Sequence, residues 1–157
     1  MRSLFLALSG MFICCTSLAQ NDDNFLQVNT NTTLSFIMDE PSDIETTQTL
    51  QNAISVQVRS KKDDCSISAK LTSFSYPTSY VPSSSMIALD WVSDNSNKDY
   101  NLNTGPISLT TMDQTIFSQK KHPHTFTYNY NLLFYPSGYN MVPGNYNFTI
   151  LFTMTQL

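Results

Sequence analysis

The sequence predicts an all-β protein, an antiparallel β-sandwich of about seven to nine strands. Three observations carry that prediction. Apolar and polar residues alternate with period two along most of the chain, as in strands with one face on a core. Turn-forming residues interrupt the alternation at short intervals. Of 157 residues, 41% are hydrophobic and 12% aromatic, but only 13% are charged. That is enough apolar surface for one packed domain and too little charge for a disordered chain.

The first 19 residues, MRSLFLALSGMFICCTSLA, have the pattern of a secretory signal peptide. Arg2 gives the positive start, residues 4–15 the apolar stretch, and Ser17 and Ala19 the small residues before a cleavage site. The stretch is shorter than the roughly 20 residues of a spanning helix. Met11, Phe12 and Ile13 precede Cys14 and Cys15, which does not fit a lipoprotein signal. Cleavage would remove Arg2 with both cysteines, take the net charge from −4 to −5 and leave Cys65 alone. Acidic balance argues against nucleic acid as a partner. No later stretch is apolar enough for a transmembrane segment.

Residues 20–33 are polar and form either a flexible lead or a first strand; residues 34–157 form the sandwich domain. Leu34, Phe36 and Met38 alternate with Ser35 and Ile37. One helical turn fits within 44–52, and threonine-rich sequence argues against more. Ile54, Val56 and Val58 mark the next strand, and residues 60–64, Ser-Lys-Lys-Asp-Asp, read as a charged hairpin loop. Cys65, Ile67, Ala69 and Leu71 mark another strand. Phe74 has the opposite parity, which calls for a bulge or a strand end. Ile87, Leu89 and Trp91 share one face, with Met86, Ala88 and Asp90 on the other. Residues 93–103 read as a polar loop, and short strands are expected at 107–110 and 115–118. Phe126, Tyr128, Tyr130, Leu132 and Phe134 form one apolar face. Tyr146, Phe148, Ile150, Phe152 and Met154 form another.

Before the last strand, Pro143 fixes φ and Gly144 tolerates positive φ, so the pair makes a tight turn. Tyr146 opens the strand with a ring for the core and a hydroxyl that can pin a nearby loop. Tyr146, Pro143, Gly144 and Trp91 are therefore expected to be structural.

The ending Pro143-Gly144-Asn145-Tyr146, followed by an alternating threonine-rich strand, resembles that of exported bacterial surface domains. WxL-like surface domains, spore-coat-U-like proteins and other pilin-like proteins end in this way. The valine-rich strand from Ile54, its charged turn and the Cys65-Ser66-Ile67-Ser68-Ala69 strand also resemble these domains, with Cys65 where they often carry tryptophan. The resemblance implies an Ig-like sandwich, periplasmic, at the cell surface or extracellular, without catalysis.

Candidate sites each have a plainer role. His122 and His124 could offer imidazoles to a metal, but Pro123 between them favours an extended geometry expected to point the rings apart. Asp90, Asp94, Asn95, Asn97 and Asp99 lack the spacing of a calcium loop. Asp39, Glu40, Asp43 and Glu45 are expected to be a charged connection rather than an acid–base pair. Cys65 is expected to be buried and inert. Ser83, Ser84 and Ser85 lack nucleophile-elbow glycines. No catalytic, metal-binding or cofactor-binding residues are therefore assigned. Eight tyrosines divide between core, with Tyr128, Tyr130 and Tyr146, and a surface that could bind glycan or protein, with Tyr76, Tyr80, Tyr100, Tyr135 and Tyr139.

The expected function is a structural or adhesive surface protein, pilin-like in kind, whose partners are other surface subunits. The alternative is a secreted module binding glycan or protein through tyrosine-rich loops. Strand donation finds thin material in the lead, where only Phe25, Leu26 and Val28 are apolar.

Overall fold

A computed structural model describes residues 24–75, 85–97, 99–135 and 144–157. Segment 1–19, expected to be a signal peptide, and Tyr76, Tyr80, Ser83, Ser84, Tyr139 and Pro143 lie outside the described residues.

Ten strands and one short helix follow in order. They are β1 (Asn24–Thr30), β2 (Ser35–Met38), α1 (Pro41–Glu45), β3 (Gln48–Ser60), β4 (Cys65–Ser75), β5 (Ile87–Asp94), β6 (Asp99–Tyr100), β7 (Ile107–Ser108), β8 (Gln114–Gln119), β9 (His122–Phe134) and β10 (Gly144–Gln156). One sheet has the order β1-β3-β9-β5-β7 and the other β2-β10-β4-β8-β6. All pairings among the described strands are antiparallel. The expected antiparallel sandwich is thus present. Eight strands have four residues or more, and β6 and β7 are two-residue pieces.

Odd-numbered strands form the first sheet and even-numbered strands the second, so none of the ten described strands pairs with its neighbour in sequence. This corrects the reading of residues 60–64. The charged turn is not a hairpin. It carries the chain from β3 in one sheet to β4 in the other, and it forms the base of the sandwich. Ser60 Oγ donates to Asp63 O at 2.7 Å, and Asp64 Oδ1 accepts from Lys121 N at 2.9 Å. Side chains of the turn thereby satisfy one of its own backbone carbonyls and a backbone N–H of the β8–β9 connection.

Three other readings change. The helical turn lies at Pro41–Glu45, ahead of its expected place, and Asn52 lies within β3. Proline suits a first helical position, and the Asp43 carboxylate accepts from Glu40 N at 3.0 Å, capping the turn. Asn52 has φ of 47°, which asparagine tolerates, and the β3–β9 register shifts between Leu50 and Ile54. The polar segment 93–103 is not all loop: β5 runs to Asp94, and β6 pairs with β8 inside it. The lead contains a true strand, β1, in register with β3 from Asn24↔Ser60 to Thr30↔Ile54.

The predicted bulge is present. Thr149 lies opposite Ser73 and Ile150 opposite Leu71, which leaves Thr72 as the extra residue. It lets Leu71 and Phe74 differ in parity while the ladder continues.

The core follows the predicted faces. Tyr128, Tyr130, Leu132 and Phe134 are fully buried, as are Val56, Val58, Ile67 and Tyr146. Burying each large side chain contributes roughly 1.5–3 kcal/mol. Phe36 packs on Phe134 and Phe148, with ring centroids 5.1 and 6.0 Å apart. Ala88 and Leu133, opposite each other on the outer face of the first sheet, are also buried. Trp91 is half-buried against the core opposite Tyr130. Its indole Nε1 is enclosed without a hydrogen-bond partner, at a desolvation cost of roughly 1–3 kcal/mol.

Candidate functional site

The residues with most chemical potential collect at the base of the sandwich. Cys65 opens β4 immediately after the crossover and faces the interior with no solvent exposure. Burial pushes its thiol from 9.0 up to about 11, opposed by a hydrogen bond with Ser60. A thiol held protonated is a poor nucleophile and metal ligand, so the expected buried thiol is what the fold provides. Ser60, beside it, lies 3.0 Å from the Asn24 side-chain oxygen.

Gln119 ends β8 opposite Cys65 and is fully buried. Its Oε1 accepts from the Tyr128 hydroxyl at 3.3 Å, while its Nε2 has no partner. Tyr128 stacks on Phe117 at 3.8 Å between centroids. Tyr100 is half-buried nearby, its hydroxyl 3.5 Å from Asp64 Oδ2. Partial burial and the Asp64 charge both raise its pKa. The cluster holds a thiol, an amide and a phenol, each turned inward.

His122 and His124 lie at the start of β9. Residues two apart on a strand share a face, so the rings do not point apart as expected. Their centroids are 5.1 Å apart, and His122 packs equally close to Phe126. The His124 N–H donates to His122 Nδ1 at 3.3 Å. Among the described residues no three His, Cys, Asp or Glu side chains come together as a metal-ligand group.

The acidic segments are engaged locally. Asp94 Oδ1 accepts from Ser96 N at 2.8 Å, forming an Asx turn. Asn95 exchanges bonds with the Thr127 backbone and prolongs the ladder beyond β5. Asp90 lies 3.4 Å from the Asn131 amide nitrogen on the outer face. For Asp99 only the backbone is described. Asp43 caps α1, its carboxylate accepting from the Glu40 backbone.

Sequence reasoning overlooked a shallow, open depression of about 250 Å³ beside the β4 bulge, lined by Ser73, Ser75, Asn147, Phe148 and Thr149. Ser73 Oγ donates to Thr149 Oγ1 at 2.8 Å across it. The parity break between Leu71 and Phe74 was the available signal, because a bulge bends the strand and dents the sheet face.

The outer faces are largely polar with few charges, although Ile37 and Leu151 are exposed on the second sheet. β1, β9 and β10 contain no Asp, Glu, Lys or Arg. Across the first sheet, Asn29, Ser55, Asn129 and Ser93 form one row, with Asn129 Nδ2 donating to Ser93 Oγ at 3.2 Å. On the second sheet the single charge of β4, Lys70, pairs with Asp113 at 3.1 Å. Tyr128, Tyr130 and Tyr146 belong to the core, as expected; Tyr100 and Tyr135 are half-buried.

Comparison with protein families, curated proteins and solved structures returned no match. Among the described residues no helix is long and apolar enough to cross a membrane.

Proposed function

We propose that the chain is a non-catalytic exported protein that serves as a structural or adhesive element at the cell surface, pilin-like in kind. The observation that carries this reading is the pair of hydroxyl- and amide-bearing outer sheet faces with few charges. Such faces can meet another polar surface without desolvating charges, the costliest part of polar association. The leader pattern of residues 1–19 and the resemblance of the Pro143-Gly144-Asn145-Tyr146 ending support the same reading. The buried Cys65 thiol, the Asp43 cap and the Asp94 turn are structural uses of groups that could otherwise do chemistry, and they support a non-catalytic reading.

Fractionation of cells producing the full chain, with immunogold microscopy, tests the proposal. The expected result is protein outside the cytoplasm, at the envelope or in shed assemblies. Retention in the cytoplasm, or hydrolase activity lost on substituting Asp64 or His122, would overturn it. Selective retention of the soluble monomer on a glycan array would favour the binding-module alternative.

A further inference from the structure

We infer that the open edge of β1 is a self-complementary docking strand, which pairs antiparallel with β1 of a second copy about a two-fold axis at Gln27. The inference rests on the edge itself and stands apart from the surface-protein reading.

Among the described residues β1 is the outermost strand of its sheet and pairs only with β3. In an antiparallel ladder alternate residues turn both backbone groups to the far side, so β1 offers a row of donors and acceptors. Edge strands are ordinarily blunted by charge, proline, a bulge or brevity. β1, with the sequence NFLQVNT, has no charge or proline, and its seven register pairs run without a shift. The other edges are blunted. β6 and β7 are two residues long, and β2 is four residues long and followed by Asp39 and Glu40.

The inner side of β1 is also incompletely covered. Leu26 and Val28 pack against the core yet remain only partly buried. β1 and β2 are the outer strands on one side of the sandwich, since only residues 31–34 join them. β2, however, pairs with β10 only from Gly144 to Asn147. β1 lies opposite residues 54–60, toward the base, level with the part of β10 that β2 leaves open. There the first sheet overhangs the second by one strand.

A two-fold axis at Gln27 completes this arrangement. Leu26 then meets Val28 of the second copy, twice by symmetry, and Gln27 meets Gln27. Asn24 meets Thr30, and Phe25 meets Asn29. Inward side chains stay inward, as a continuous sheet requires. Centring on Leu26 or Val28 keeps the faces but drops two residues from the ladder and sets an apolar side chain against Asn24 or Thr30. The charge near this edge, Arg59, lies on the neighbouring strand with its guanidinium 5.8 Å from the Phe25 ring. A seven-residue ladder is a small interface, so the dimer dissociates between about 1 μM and 1 mM.

Sedimentation of the protein purified from expression of the full chain, across that concentration range, tests the pairing. Gln27 is exposed, so Gln27→Lys and Gln27→Glu leave the far-ultraviolet circular dichroism unchanged. Each places like charges across the axis and weakens the dimer at least about tenfold. An equimolar mixture of the two recovers the wild-type affinity as a heterodimer. Three outcomes would overturn the inference: a wild-type monomer throughout, its edge covered by another segment or another protein's strand; an assembly indifferent to both substitutions; or weakening that the mixture does not reverse.

Discussion

Cys65 links burial to a measurable pH dependence. Its folded pKa is raised from 9.0 to about 11, so the folded state holds the proton more tightly than the unfolded chain. The associated stability is complete below pH 9 and is lost as pH rises toward 11. Two pKa units correspond to roughly 2–3 kcal/mol. Urea titrations between pH 8 and 11 should show wild type losing stability more steeply than Cys65→Ala, and equal slopes would refute the assignment. Tyr146 offers a second measurement. Its ring is fully buried and stands edge-on to Phe134 at 5.6 Å. Tyr146→Phe keeps the ring and removes the hydroxyl, with an expected loss of about 1 kcal/mol. An unchanged urea midpoint would mean that the hydroxyl pins nothing. The inward positions of Cys65 and Tyr146 were legible because period-two parity names the buried face. The Ser60 contact of Cys65 was not, because it depends on where a crossover sets its side chains.

Among the elements, α1 depends most on a single side chain. Asp43 accepts from the backbone of Glu40 and, at 3.3 Å, of Asp39. Asp43→Ala should cost about 1 kcal/mol locally. Hydrogen exchange should show faster exchange at Asp39 and Glu40 with β9 unaffected, and unchanged protection would exclude the cap. The helical turn expected within 44–52 overlaps α1 only at Ile44 and Glu45, because Pro41 and the Asp43 cap start the helix earlier. The threonines at 46, 47 and 49, which argue against a longer helix, lie beyond it. They belong to the exit from α1 and the start of β3. The β4 bulge was foreseen from Leu71 and Phe74. The depression it makes with β10 was not, because Asn147 and Thr149 are more than 70 residues away in the chain.

At the scale of the whole molecule, every pairing among the described strands joins strands that are not consecutive. β3 meets β9 with Ile54 opposite Tyr130, and β4 meets β10 with Ile67 opposite Met154. Closing such loops costs entropy before any contact repays it. Folding is therefore expected in the millisecond-to-second range typical of non-local β topologies. Stopped-flow refolding checks this, and completion within tens of microseconds would contradict the topology. Alternation of oily and polar side chains, a local property of the chain, determined by itself that the protein is built of strands, where most of them run and which faces turn inward. Tertiary structure alone decided that successive described strands divide between opposite sheets, that the charged turn crosses rather than returns, and that β1 stands at a sheet edge among the described residues. Parity identifies the buried side of a strand, but it carries no information about which strand hydrogen-bonds beside it. That choice rests on summed packing across contacts far apart in sequence.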